Sequence, residues 1–374
     1  MIKLFCMKTS PHQALRRIAV ELFTLALVAG LAAGCATSAK KPAGPKFSFY
    51  PAPPDAPRLQ FLTSFASSRD FPNSARDKFM TFLTGKTPGV IAIGKPYGGA
   101  AGQGKIYACD TASSAVMRLN LVDKKFDALI GVGPITFESP VNMAVDTNGA
   151  LYIVDMGLNQ LIVTDPSGDL VGTVGEKGKS KPMDVALTAD RIYLSDITTH
   201  SVHVLDKTTR TNLFDIPRPE DATNILRKLF QPINIAVDAR NRLYVSDFGA
   251  DRVQVYDADG KFLRTIGRRG DNYGEFTRPK GVAVDRDNIV YVVDAAGQMV
   301  QMFDDAGQLL MWFGEPNHAA RVSLFLPSKV LMDYDDVALF QKYAAPDFKV
   351  EHLVIVMNQF GPMPVSVFGF GHKK

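Results

Sequence analysis

Pro232-Ile-Asn-Ile-Ala-Val-Asp238, Leu243-Tyr-Val-Ser-Asp247, Arg252-Val-Gln-Val-Tyr-Asp257 and Lys261-Phe-Leu-Arg-Thr-Ile-Gly267 follow one another, with turns at Ala239-Arg-Asn241 and Ala258-Asp-Gly260. β-Branched and aromatic residues fill these four short runs, and Asp, Asn and Gly stand between them, which is the pattern of strands joined by tight turns. The same unit recurs along the chain. Aligned on their first proline, the copies place Pro96, Pro140, Pro182, Pro232, Pro279 and Pro327 in register, at spacings of 44, 42, 50, 47 and 48 residues. Five copies carry a second strand that ends in aspartate: Ile106-Tyr-Ala-Cys-Asp110, Leu151-Tyr-Ile-Val-Asp155, Ile192-Tyr-Leu-Ser-Asp196, Leu243 to Asp247 and Val290-Tyr-Val-Val-Asp294. The sixth drifts to Leu353-Val-Ile-Val-Met-Asn358.

A period in the forties with four strands per unit is the signature of a β-propeller blade. Five full copies and one degenerate copy therefore predict an all-β fold, a six-bladed β-propeller with four-stranded blades. The last blade lacks an outer strand, because only Gly-Phe-Gly-His-Lys-Lys374 follows Val365-Ser-Val-Phe368. Arg58-Leu-Gln-Phe-Leu-Thr-Ser-Phe65 matches the fourth strand of the other blades and is expected to pair into blade six, removing the edge that an open array would present. Ser74 to Gly85 reads as a short amphipathic helix with a Ser cap and a Gly stop, expected to lie across one rim, the alternative being a helix for a partner. The expected domains are a signal peptide over residues 1–34, a tether over 35–57 and the propeller over 58–374.

The wording of the units, from Pro279-Lys-Gly-Val-Ala-Val-Asp285 through Tyr291-Val-Val-Asp294 to Val300-Gln-Met-Phe-Asp304, resembles the NHL-repeat family of propellers. The interblade loop from Gly267 to Pro279 does so too. The resemblance covers roughly residues 90 to 374 and implies the blade type. It does not imply an activity, because such propellers serve as binding scaffolds, RNA readers, sensors and lyases.

The first 34 residues hold Lys3, Lys8, Arg16 and Arg17, an apolar stretch from Leu22 to Ala33, and then Leu31-Ala-Ala-Gly34-Cys35. A basic start, a short apolar core and small residues before a cut site describe an export signal, too short to span a bilayer. With Cys at the cut point the pattern resembles the lipobox of bacterial lipoproteins, which implies lipidation at Cys35. The alternative is an ordinary secretory signal with an incidental Cys. Ala36 in place of aspartate implies sorting to the outer membrane, on either face. Removing the signal leaves 38 basic against 37 acidic residues, a net charge of +1 instead of +4. Nucleic-acid binding needs a basic face as well as access to nucleic acid, and this address denies the access. Residues 36–57 are rich in Ala, Ser, Lys and Pro, which suits an extended tether.

No catalytic motif stands out. The chain has no Gly-rich phosphate loop, Gly-x-Ser-x-Gly elbow, His-Glu-x-x-His or Cys-x-x-Cys-His. Cys109 lies within an apolar strand and reads as a small buried hydrophobe. The Asp-to-Gly pieces at Asp146, Asp165, Asp257 and Asp304 recur at equivalent hairpins and lack the further spaced ligands of calcium loops, so they read as turns. The aspartates that close the second strands are expected to accept backbone hydrogen bonds. Four residues after them stand Ser114, Asn159, His200, Asp251 and Gln298, which makes His200 a loop residue; His203 could approach it, without a third ligand for zinc.

One ring of positions could carry chemistry. Two residues after each blade proline, where the inner strand enters the channel, stand Gly98, Asn142, Asp184, Asn234, Gly281 and Lys329. Asn142, Asp184 and Asn234 could face a common axis and hold Ca²⁺, or could cap turns. The first arrangement resembles the channel sites of gluconolactonase and paraoxonase-like propellers, which implies a metal-dependent lactonase-like hydrolase. It departs from them in having neither a glutamate in the ring nor a channel histidine. A second irregular region, Met332 to Phe348, swells the first hairpin of blade six into a short helix capped by Asp335. Its aromatics Tyr334, Phe340, Tyr343 and Phe348 could bind a partner or cover the rim. Pro217 to Phe230 raises the same question between blades three and four.

The lipobox, the Pro-rich lead from Tyr50 to Phe61 and the tail from Gln341 to Phe348 together resemble NHL-repeat lipoproteins of Gram-negative bacteria. That resemblance implies a non-enzymatic, lipid-anchored scaffold for an envelope protein complex, with multihaem cytochromes, a porin or an outer-membrane electron conduit as the partners it suggests. No cofactor is expected, calcium being the ion that would fit the alternative. A lactonase-like hydrolase and a ligand- or polysaccharide-binding sensor are the other two readings.

Overall fold

The computed structural model describes residues 47–52, 54–71, 89–176, 178–314 and 322–374. The expected signal peptide, Cys35, the expected tether up to Lys46 and the helix expected from Ser74 to Gly85 lie outside the described residues.

Six blades follow in chain order. Each begins with an inner strand at the aligned proline: Pro96–Gly102, Pro140–Val145, Pro182–Leu187, Pro232–Val237, Pro279–Val284 and Pro327–Asp333. The first five blades are four-stranded antiparallel meanders, so the four-strand reading of the repeat holds. Proline suits the first position because it has no N–H to offer a ladder. The two N–H groups just before it are taken by the aspartate that closes the second strand. Asp155 accepts from Glu138 and Ser139 at 2.9 Å each, Asp247 from Phe230 and Gln231 at 2.8 and 2.9 Å, and Asp294 from Thr277 and Arg278 at 3.0 and 3.1 Å. Asp155 also accepts from Gly157 and Leu158 in the following turn. In blade three Asp196 takes Lys181 N and, in the following turn, Thr198 N, and in blade six the Asn358 side chain accepts from Phe325 N.

Ser114, Asn159, His200, Asp251 and Gln298 all adopt left-handed backbone conformations, with φ between 51° and 59°. This explains the polar character of the position, since short polar side chains tolerate that region best. The His200 ring contacts the Phe230 carbonyl, as a loop residue would. The Asp-to-Gly hairpins are turns as read: Asp165 accepts from Ser167 N and Asp169 N, and Asp257 from Asp259 N and Lys261 N.

The second strands are buried on both faces. In blade two, Leu151 and Ile153 pack toward blade one, whereas Tyr152 and Val154 pack toward blade three. Alternate residues of a strand point to opposite faces, so a continuous apolar run is what a blade between two blades requires. Outer strands alternate instead; in Phe262–Ile266, Leu263 faces solvent and Ile266 is buried.

The ring closes through its ends. Leu59–Phe65 pairs antiparallel with Val365–Lys373, placing Leu59 opposite Phe370, Phe61 opposite Phe368 and Phe65 opposite Val365. A further strand, Phe49–Tyr50, adds to Leu59 and Gln60, so the sixth sheet has five strands. The propeller unit therefore starts at Phe47 rather than at residue 58. The reason is aromatic packing: the Tyr50 ring lies against Phe313 and Phe368, and Phe49 against Phe348.

Candidate functional site

The inner strands bring Gly98, Asn142, Asp184, Asn234, Gly281 and Lys329 to one level of the channel, each on its own blade. Both glycines are there for space. A Cβ on Gly98 would stand 1.7 Å from the Asn142 Oδ1, and one on Gly281 would stand 2.7 Å from the Lys329 Cα.

The centre of this level is occupied by the protein's own cation. The buried Lys329 Nζ donates to Asp184 Oδ2 at 2.6 Å and to Asn234 Oδ1 at 2.7 Å. The Asp184 carboxylate also accepts from Val185 N and Ile235 N, at 2.9 Å each. Burial pushes its pKa above the usual value, and Lys329 with the two N–H groups opposes that rise. Asn142 stands apart from the pair: its Nδ2 donates to Met183 O at 3.1 Å, and its Oδ1 has no partner among the described residues. Of the three residues expected to face a common axis, Asp184 and Asn234 meet, and they meet around an ammonium group. The donor set does not fit Ca²⁺, because the lysine holds the oxygens a metal would need. Lys329 was legible in the ring as the single cation among oxygen-bearing side chains. Among the described residues, no group of three His, Cys, Asp or Glu side chains could hold a metal ion.

This plug divides the channel. Toward the ends of the inner strands lies a hollow of about 230 Å³, lined by Ala101, Met143, Val145, Val237, Val284 and Met332 and by Lys329. A larger hollow of about 540 Å³, among Leu226, Arg252, Phe262 and Arg268, lies on the outer side of blade four, away from the axis. Toward the starts of the inner strands the walls are aromatic and basic. Tyr97 is pushed up to about 12 by burial and by the charge of Asp184. Lys280 sits over its ring at 5.4 Å. Lys95 lies over Phe360 and Arg278 over Phe248, at 5.5 and 5.8 Å.

The blade-six insertion turns inward. Phe340 and Phe348 are buried in the core between blade six, blade one and the closing strand, and are not available to a partner. Phe340 meets Phe65 edge-on at 6.2 Å. Gln60 of the closing strand accepts from Ala345 N at 3.0 Å, which explains why these aromatics face the core: the insertion is the seat of that strand. Tyr343 is exposed, and Tyr334 is half-buried beneath the Arg286 guanidinium, its hydroxyl accepting from Arg286 N at 2.8 Å. The short helix Val337–Phe340 is preceded by Asp336 at its N-cap, not by Asp335. The Asp336 carboxylate is turned away from the helix because both its oxygens accept from Gly104 N, at 2.8 and 3.0 Å.

The second insertion is fastened down as well, with Arg252 donating to the Leu226 and Lys228 carbonyls at 2.8 and 2.7 Å. His203 pairs with Asp215 at 2.7 Å and does not join His200 in a metal set. Cys109 is fully buried, and burial pushes its thiol pKa well up, so it is a packing residue and not a nucleophile.

Residues 227–354 match the model of a family described as "6-bladed beta-propeller" (DUF5128). No curated protein matches the chain by sequence. Several solved structures share the fold. A gluconolactonase from Xanthomonas campestris is 18% identical with a TM-score of 0.53, over 88% of this chain and 99% of that one. A catalytically inactive virginiamycin B lyase from Staphylococcus aureus with quinupristin is 12% identical with a TM-score of 0.51, over 74% and 96%. A protein of unknown function from Bacteroides thetaiotaomicron is 16% identical with a TM-score of 0.57, over 83% and 75%. At these identities the likeness extends to the fold. The chain is a six-bladed β-propeller whose N-terminal strands join its last blade.

Proposed function

We propose that this propeller is a non-enzymatic binding module, carried to the outer membrane on a lipid at Cys35, where it scaffolds an envelope protein complex. The observation that carries the reading is the Lys329 ammonium bonded to Asp184 and Asn234. It fills the level of the channel where a metal-dependent lactonase-like hydrolase would hold its ion, leaving a rigid ring that offers surfaces. The address rests on the sequence from Leu31 to Cys35.

Two measurements test this reading. Calcium should leave the melting temperature of the purified ring unchanged, since an ion that binds the folded state must raise it. A calcium-dependent rise that Asp184→Ala abolishes, together with turnover of a lactone panel, would replace the scaffold by the hydrolase. Crosslinking in intact envelopes should recover defined partners with the wild-type chain and lose them with Cys35→Ser, which should release the ring from the membrane fraction or stall it as precursor. Recovery of the ring alone, or a Cys35→Ser protein still held in salt-washed outer membrane, would sink the anchored-scaffold reading.

A further inference from the structure

Two lysines reach into the channel, and they are treated oppositely. Lys329 has a carboxylate at 2.6 Å. Lys280 is 7% exposed and has none among the described residues: its Nζ meets the Gln359 Oε1 at 3.4 Å and the face of Tyr97 at 5.4 Å. Burial first, and then the like charges of Arg278 and Lys95, lower its pKa to about 8. A buried ammonium among like charges is costly unless something compensates it. The tyrosine face and one amide oxygen at the limit of hydrogen bonding compensate little. Two further cations stand at this mouth: Lys95 and Arg278 are exposed at its rim, their side chains resting on the faces of Phe360 and Phe248, while the buried Asp110 and Asp294 carboxylates there are taken up by backbone N–H groups, those of Lys95 and Arg278 included.

We propose that this mouth binds the carboxylate or phosphoryl group of a small anionic ligand, with Lys280 as the inner contact and Lys95 and Arg278 at the rim. Tyr97 and Phe360 would flank the ligand's less polar part, and the Lys329–Asp184 pair beyond closes the site to passage through the ring. This deepens the binding-module reading and rests on it.

The test follows the reactivity of Lys280 in the intact mature chain. The probes are inorganic phosphate and succinate, each compared with sodium chloride at equal ionic strength, and the readout is acetylation of Lys280 by acetic anhydride followed by mass spectrometry. At a concentration ten times its dissociation constant, a bound anion leaves roughly one tenth of the sites free, so labelling should slow about tenfold. Protection by phosphate alone assigns phosphoryl ligands; protection by succinate alone or by both admits carboxylates. Each probe that protects should also raise the melting temperature of the wild type more than that of Lys280→Met. Without either anion, Lys280→Met should melt no lower than the wild type, because an apolar chain of similar length replaces an uncompensated charge. If neither anion slows labelling beyond chloride, or if both proteins gain equally in melting temperature, the site is refuted. That result would leave the partner-recovery experiment standing, so the two readings can fail separately.

Discussion

Lys329 shows what one residue changes in a repeat. Five blades place Gly, Asn or Asp at its position, and any of these would leave Asp184 buried without a counter-charge. Breaking a buried ion pair by removing one partner typically costs about 3–5 kcal/mol, because the other charge is left unpaired. Lys329→Met should therefore lower stability by about that amount in denaturant unfolding. Adding Asp184→Asn to it should recover a substantial part, since the orphaned charge is then gone. A double variant less stable by the full sum of the single losses would show that the two groups do not interact. The sequence exposed the ring of positions and their chemical types, since both follow from register. It did not expose which side chains meet, because a lysine long enough to cross the channel satisfies a carboxylate and an amide oxygen on blades that are not its neighbours. Lys280 was hidden for the opposite reason: its significance is the absence of a counter-charge among the described residues, and a sequence gives residues without their surroundings.

The blade-six insertion was legible as an insertion and as a short helix, because its length breaks the period of the repeat. Its direction was not. Aromatics on a swollen hairpin read equally as a docking surface or as a cover, and burial against the closing strand decides for Phe340 and Phe348. The insertion also carries a titratable latch. Asp336 accepts from Gly104 N of blade one and lies beside Asp333, whose Oδ2 is buried without a partner among the described residues. Burial first, and then the neighbouring Asp333 charge, raise the Asp336 carboxyl from about 3.8 to about 7. The folded state then holds this proton more tightly than the unfolded chain does. Its contribution to stability is full below about pH 4, declines as the pH rises toward 7, and is absent above that. Asp336→Asn keeps an oxygen for Gly104 N and removes the titration. The variant should flatten the pH dependence of the melting temperature between pH 4 and 7 and melt higher than the wild type at pH 8. Parallel melting curves for the two proteins across that range would refute the latch.

A propeller has no edge until it is cut, and here the cut would fall between sequence ends joined by a single strand pairing. The six hydrophobic clusters among the described residues follow the six blade interfaces, and the one between blades six and one includes Leu62, Phe65 and Phe71 from the N-terminal segment. The ring is thus closed by side chains as well as by backbone. That closing strand was legible because it repeats the pattern of an outer strand, whereas Phe49–Tyr50 escaped because two residues among prolines carry no period. Deleting residues 47–65 removes Leu59, Leu62 and Phe65 from burial and bares the outer edge of Val365–Lys373. At roughly 25 cal/mol per Å² of apolar surface, losing several large side chains amounts to several kcal/mol. An unpaired edge that carries Val365, Val367, Phe368 and Phe370 is also a template for another chain. The truncated ring should melt well below the full ring and should associate with increasing concentration in sedimentation velocity, while the full ring stays monodisperse over the same range. A synthetic peptide of residues 58–65 added in trans should partly reverse both effects by occupying the edge. If the truncated ring melts normally and remains monomeric, blade six is held by the insertion and its own three strands, and the N-terminal strand is an ornament on a ring already closed.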